Sequence, residues 1–265
     1  MGEMGVLGEI VAKTRERVRE RQSALPLEQL LASCGPVSRR PFGHVLSRTQ
    51  VNVIAEFKRQ SPSRGVIRPD LEPDDVAVSY EAAGAVALSV LTEADYFGGS
   101  GEDLRRAHGA TLLPVLRKDF IVDAYQVWEA AALGADALLL IVAALGDDEL
   151  RVLLETTAGA GLEALVEVHD REELARALAV GARIVGVNSR DLKTMAVSLD
   201  TALELAPAIP DDVIAVAESG IKTGEDIKRL RAAGYDAFLV GEQLMRTADP
   251  GVGLAALLRD AQEAP

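Results

Sequence analysis

Cysteine, histidine, aromatic residues and net positive charge are all scarce in this chain. One cysteine, Cys34, among 265 residues excludes an internal disulfide, and with only three histidines no Cys/His cluster suggests a structural metal site. A net charge of −13 argues against a general nucleic-acid or anionic-membrane surface. Any anionic ligand must therefore be captured by a local group of lysine, arginine and backbone amides. Long hydrophobic runs are missing too. The longest, residues 137–145, is strand-sized, whereas a membrane span needs roughly 18 or more. The first ten residues lack the basic region and apolar run of a secretory signal, so a cytoplasmic protein is expected.

What is present is an alternation. Residues 7–22 carry Leu7, Ile10, Val11, Thr14 and Val18 at helical spacing, and 25–31 form a second short helix with Pro26 in its first turn. Residues 35–41 read as an irregular link. The runs Arg15-Glu-Arg17 and Arg19-Glu-Arg21 read as a solvated helix face. From residue 51 onward, strands are predicted at 52–58, 85–91, 114–120, 137–143, 163–168, 184–189, 213–219 and 237–242. Helical patterns fall at 73–83, 102–108, 124–133, 147–160, 171–180, 199–206, 224–233 and 253–262. Strands rich in Val, Ile and Leu between helices mark a parallel sheet covered by helices.

Gly134-Ala-Asp-Ala-Leu-Leu-Leu140 and Gly234-Tyr-Asp-Ala-Phe-Leu-Val240 are near copies, and the stretches from Gly84 and Gly181 are looser ones. Each sets a glycine after a helix, where a left-handed cap is wanted, and then enters a strand. Four such joints, spread along eight strand-helix units, favour a single-domain α/β fold, a (β/α)8 TIM barrel over 51–265 with an N-terminal helical extension over 1–50. An open doubly wound sheet would instead be expected to show Gly-x-Gly-x-x-Gly after its first strand, and none stands there.

Ligands meet a barrel at the C-terminal ends of its strands, and alternate side chains share a face. Polar residues gather there: Glu56 and Lys58 after the first strand, Lys118 on the third, Glu167 on the fifth, Asn188 with Arg190 on the sixth, and Glu218 on the seventh. Such a mixed set is acid/base equipment, since desolvation moves a lysine pKa down and a glutamate pKa up. In Arg117-Lys118-Asp119 the outer two alternate away from Lys118 and read as a rim ion pair. Ser61-Pro-Ser-Arg-Gly65, Ser219-Gly220 and Gly241-Glu242 follow strands as small-residue loops that can cradle a phosphate, with the Glu242 amide, not its carboxylate, facing the site. Tyr96 and Phe97, flanked by glycines, read as a loop presenting an aromatic surface to a planar ligand, with Phe120 as a second wall.

These stretches resemble one family. Ile54-Ala-Glu-Phe-Lys-Arg-Gln-Ser-Pro-Ser-Arg-Gly65, Leu91-Thr-Glu-Ala-Asp-Tyr-Phe-Gly-Gly-Ser100, Pro114-Val-Leu-Arg-Lys-Asp-Phe-Ile121 and Val187-Asn-Ser-Arg-Asp-Leu192 are similar, in the same order, to the signatures of indole-3-glycerol-phosphate synthases of tryptophan biosynthesis. The resemblance implies a lyase that needs no cofactor or metal and acts on 1-(2-carboxyphenylamino)-1-deoxyribulose 5-phosphate. It implies Lys118 as general acid, Lys58 on the substrate carboxylate, Glu167 as the acid/base of dehydration and Glu56 as a positioning group. Asn188, Arg190 and Glu218 would complete the polar shell. Ser61, Ser219, Gly220, Gly241 and Glu242 would take the phosphate, and Phe97, Phe120, Leu140 and Leu192 would enclose the ring. The expected partner is this small phosphorylated molecule alone, with no nucleic acid or membrane, and the chain is expected to be a monomer. The competing readings are another phosphosugar barrel, an isomerase or a Schiff-base aldolase using Lys118, and a non-catalytic phosphate-ligand-binding paralogue.

Overall fold

The computed structural model describes residues 6–33, 39–47, 49–62, 64–191 and 194–262. Eight parallel strands close into a barrel: β1 Asn52–Phe57, β2 Ala87–Leu91, β3 Val115–Lys118, β4 Ala137–Ile141, β5 Glu163–Val168, β6 Ile184–Asn188, β7 Ile214–Glu218 and β8 Ala237–Val240. Each strand pairs with its chain neighbours, and β1 closes the ring against β8. The helices outside it are α4 Pro73–Ala83, α5 Gly101–Ala110, α6 Ala124–Leu133, α7 Asp147–Gly159, α8 Arg171–Ala179, α9 Asp200–Leu205, α10 Gly224–Ala232, α11 Glu242–Met245 and α12 Pro250–Gln262, preceded by α1 Val6–Ala24, α2 Leu27–Ser33 and α3 Phe42–Leu46. No helix among the described residues is long and apolar enough to cross a membrane.

The glycine joints behave as the repeats require. Gly134 and Gly234 have φ of 89° and 112°, and Gly84 and Gly181 are left-handed as well. The aspartate in the two near copies has a job of its own. Asp136 Oδ2 accepts from the Val115 amide at 2.9 Å, and Asp236 Oδ2 accepts from the Ala215 amide at 2.8 Å. Each aspartate thus ties the start of its strand to the start of the preceding one, which is why the motif recurs as a unit.

Besides the short helix α11, two elements lie outside the sequence expectation. The first is α3, which directly follows the expected irregular link over 35–41; of that link only residues 39–41 are described. Phe42, Val45 and Leu46 are buried with Ile54, Leu116, Leu165 and Val216 inside the barrel, so α3 plugs the floor. Its spacing is helical, but five residues are too few for periodicity to announce. The second is a two-stranded ribbon pairing Gln60 with Val66 and Ser61 with Gly65, which stiffens the loop after β1.

The arginines of α1 lie on a solvated face as expected, and they also reach carboxylates of the barrel. Arg15 pairs with Glu149 at 2.8 Å, Arg21 with Glu129 at 2.6 Å, and Arg17 with Asp95 and Glu93. Partly exposed pairs of this kind contribute roughly 0.2–1 kcal/mol each. Burying Ile10 and Val18 contributes about 1.5–3 kcal/mol apiece, so apolar contact holds α1 down and the arginines fix where it sits.

Candidate active site

Eight inward positions, one from each strand, rim the barrel mouth: Glu56, Leu91, Lys118, Ile141, Glu167, Asn188, Glu218 and Gly241. On the odd strands each stands two residues beyond an apolar residue of the inner core, namely Ile54, Leu116, Leu165 and Val216. Alternation therefore lifts Glu56, Lys118, Glu167 and Glu218 together onto a charged layer above a dry one. The cavity above them holds about 740 Å³, the size of a small-molecule site.

Lys118 is the centre of this layer. Its Nζ lies 2.7 Å from Glu167 Oε2 and 2.8 Å from Glu218 Oε2. Burial alone would lower its pKa, but Glu167, Glu218 and Glu56 outweigh that and raise it. The expected direction for the lysine is thereby reversed, because desolvation is not the deciding effect when two carboxylates touch the ammonium. The glutamates divide. Burial would raise Glu167, yet Lys118 and His169 bring it well below the usual carboxylate range, whereas burial and the nearby Glu167 push Glu218 up to about 7 against the pull of Lys118. Glu218 Oε1 is buried without a hydrogen-bond partner. It has room only because residue 186 is glycine, where a Cβ would collide with it, and Gly241 stands in the same relation to the Glu56 carboxylate.

The next inward positions form a second tier. Lys58 Nζ is 2.7 Å from Glu56 Oε1. Phe120 stands 6.2 Å from Phe97, ring centre to ring centre and tilted by 41°, so the two form a corner for a planar group. Glu93 holds the Phe97 loop in shape, its carboxylate accepting from the amides of Asp95, Tyr96 and Phe97 at 3.1, 2.6 and 3.2 Å. Tyr96 itself is turned outward under Lys13 of α1, 5.1 Å from its ring centre, and faces no ligand space.

At the other side of the mouth, Ser219 is a non-glycine residue with φ of 65°, followed by Gly220 at 82°. Such a backbone costs on the order of 1–3 kcal/mol and tends to cluster at functional sites. Gly241 caps α11, and Ser61, buried in the ribbon, lines the same wall. The Glu242 carboxylate, expected to point away, instead collects cations: Arg64 at 3.0 Å, Arg190 at 3.7 Å and Arg246 at 3.9 Å. Asn188 Oδ1 accepts from the Arg190 amide at 3.1 Å.

Leu140, expected to enclose the ring, does not line the cavity. Leu140 lies on the opposite face of β4, buried between sheet and helices, and Leu139 and Ile141 take the mouth. Leu192 lies outside the described residues. Arg117 and Asp119 do point away from Lys118, but into a buried network, 2.9 Å from each other and bonded to Thr92 and Gln126. Sequence reasoning missed Ile141, Glu93, the α1 residues Val6, Leu7 and Ile10 that line the mouth, and His169, although its offset of two from Glu167 was a usable signal.

A closed barrel with a lysine between carboxylates at its C-terminal mouth, an aromatic corner and a cationic wall defines a (β/α)8-barrel enzyme of small phosphorylated molecules. The family model for indole-3-glycerol phosphate synthase matches residues 7–257, and the chain belongs to that family. It is 46% identical over 261 residues to the indole-3-glycerol phosphate synthase of Carboxydothermus hydrogenoformans, covering 95% of this chain and 99% of that one. It is 50% identical over 260 residues to that of Acidithiobacillus ferrooxidans, covering 96% and 99%. Among solved structures, a mandelate oxidase superposes with a TM-score of 0.62 at 18% identity over 88% of this chain and 82% of its own. Thiamine phosphate pyrophosphorylase of Pyrococcus furiosus gives 0.58 at 18% over 83% and 100%. At that identity these two establish the shared barrel alone.

Proposed function

We propose that this chain closes the pyrrole ring of 1-(2-carboxyphenylamino)-1-deoxyribulose 5-phosphate, releasing carbon dioxide and water to give indole-3-glycerol phosphate. The observation that carries the reading is Lys118 clamped between Glu167 and Glu218 at the foot of a cavity with aromatic rings on one side and arginines on the other. Lys118, held charged, donates a proton to the ribulose carbonyl oxygen as the ring carbon attacks. Lys58, steered by Glu56, holds the carboxylate that departs. Glu167 then takes the carbon-bound proton, while Lys118, recharged, gives the hydroxyl the second proton with which it leaves as water. Glu218 and Asn188 shape the field around these groups. Phe97, Phe120 and Ile141 enclose the benzene ring, while Ser61, Arg190, Ser219, Gly220, Gly241 and the Glu242 amide take the phosphate, with the Glu242 carboxylate yielding its arginines to it.

A raised lysine pKa favours this role over a Schiff-base aldolase, whose lysine must be neutral to attack a carbonyl. The extension over 1–50 and the barrel over 51–265 act as one domain, since Val6, Leu7 and Ile10 line the same cavity as the barrel residues, and the protein works in the cytoplasm as a monomer. The test uses substrate carrying 13C in its carboxylate. One labelled carbon dioxide per indole formed is expected, with no lysine adduct trapped by borohydride; folded protein that releases neither product would overturn the proposal.

A further inference from the structure

The proposed reaction has a proton balance that the mouth alone does not meet. A carbon–carbon bond forms between the aromatic ring and the former carbonyl carbon, and the bond to the carboxylate breaks, its electron pair restoring the ring. The carbonyl oxygen leaves as water after gaining two protons, and a carbon-bound proton is given up to a base. Two protons donated and one returned leave one to be drawn from solvent in each turnover, because an anionic carboxylate departs as neutral carbon dioxide. Lys118 must therefore be recharged from outside. Its contacts, Glu167 and Glu218, are 3% and 2% exposed, and substrate in the mouth would seal them further.

A second exit lies behind Glu167. Its two oxygens face different ways: Oε2 meets Lys118, and Oε1 lies 3.4 Å from His169 Nε2. His169 Nδ1 is in turn 3.0 Å from Glu173 Oε2 in the first turn of α8, and that same oxygen accepts from the His169 amide at 2.8 Å. The imidazole thus bridges a carboxylate of the site and a carboxylate near the surface. It is not among the residues lining the mouth, and its side chain keeps 12% of its surface open. His169 Nε2 is buried and makes no full hydrogen bond, so it is free to approach Glu167.

We propose that His169 is the proton relay of this enzyme, returning one proton per turnover from solvent through Glu167 to Lys118 by a route separate from the substrate mouth. The inference rests on the functional reading above. Glu167 from β5 and Glu173 from α8 are the titratable groups that face the imidazole. Burial opposes its charge, but these carboxylates push its pKa up to about 10, so it stands charged at neutral pH and regains its proton readily. Acting through Glu167, it is a positioning and relay group that never touches substrate.

The experiment compares His169→Gln and His169→Ala with the unaltered enzyme by indole fluorescence, in dilute buffer and with added imidazole. The relay predicts kcat lowered about tenfold or more with KM within about twofold, short of the roughly 10²–10⁴-fold loss for a group that transfers the proton to substrate itself. Added imidazole should restore kcat of His169→Ala in proportion to its concentration, and a kcat falling faster with rising pH than in the unaltered enzyme is expected for both variants. If His169→Ala does not fold, His169→Gln is judged by its pH profile and by recovery of kcat with buffer concentration. An unchanged kcat, or a loss that neither imidazole nor buffer relieves, overturns the relay and leaves His169 a brace for Glu173. An unaltered enzyme without turnover overturns instead the functional reading beneath it.

Discussion

The odd and even strands of this barrel have been given different work. At the mouth the odd strands present Glu56, Lys118, Glu167 and Glu218, and the even strands present Leu91, Ile141, Asn188 and Gly241. In a barrel of this type alternate strands fill a common layer, so loading charge on one set places those groups in mutual contact across the axis. The outcome is visible in Lys118, which reaches residues 49 and 100 positions away in the chain. The even strands supply wall and clearance: Ile141 borders the cavity, and Gly241 leaves space for the Glu56 carboxylate. The lesson is that the charged centre of the mouth is one layer of the barrel core with its apolar side chains exchanged for ionisable ones.

Breaking the odd set should cost most. Lys118→Met is predicted to lower kcat by about 10²–10⁴-fold while inorganic phosphate still binds, as measured by steady-state turnover and calorimetry. Glu167→Gln, which keeps the shape but removes the base, should lower kcat by about 10²-fold with KM little changed. An even-strand change that intrudes on the odd layer comes next. Gly241→Ala should lower kcat by displacing Glu56 and with it Lys58, an effect that a Glu56→Ala background would largely abolish in a double-mutant cycle.

Glu218 sharpens the comparison through pH. Its folded pKa, pushed up to about 7, lies above that of the unfolded chain, so its contribution to stability is present in acid and is lost as pH rises through about 7. Glu167, depressed, runs the other way, contributing above the ordinary carboxylate range and losing its contribution as pH falls. Glu218→Gln should therefore gain Tm relative to the unaltered protein as pH is raised from about 5 to about 8, by thermal melts. The smallest effect belongs to an even-strand wall: Ile141→Val should cost about 0.5–1.5 kcal/mol of stability by denaturant unfolding and leave kcat within a few-fold.

Much of this was legible in the chain because parallel strands announce themselves. The repeated Gly-x-Asp-Ala stretches gave the helix-to-strand joints, and polar residues interrupting apolar strands gave Glu56, Lys118, Glu167 and Glu218 their direction. Where no polar residue interrupts, the phase is lost. Ala137–Ile141 is buried throughout, so nothing in its pattern corrects the resemblance, which puts Leu140 at the mouth where Leu139 and Ile141 belong. The sign of the Lys118 shift was equally hidden, since it depends on which carboxylates the closed ring brings to it. The outward turn of Tyr96 and the partners of the α1 arginines were hidden for a related reason: those partners lie on other elements, and nothing local records them.

The division between strands is tested most directly by one set of turnover measurements, indole fluorescence from the unaltered enzyme, Lys118→Met and Ile141→Val with the same saturating substrate. Comparable rates for the unaltered enzyme and Ile141→Val, with Lys118→Met slower by at least about 10²-fold, are predicted. Equal losses in the two variants, or no loss in either, would contradict it.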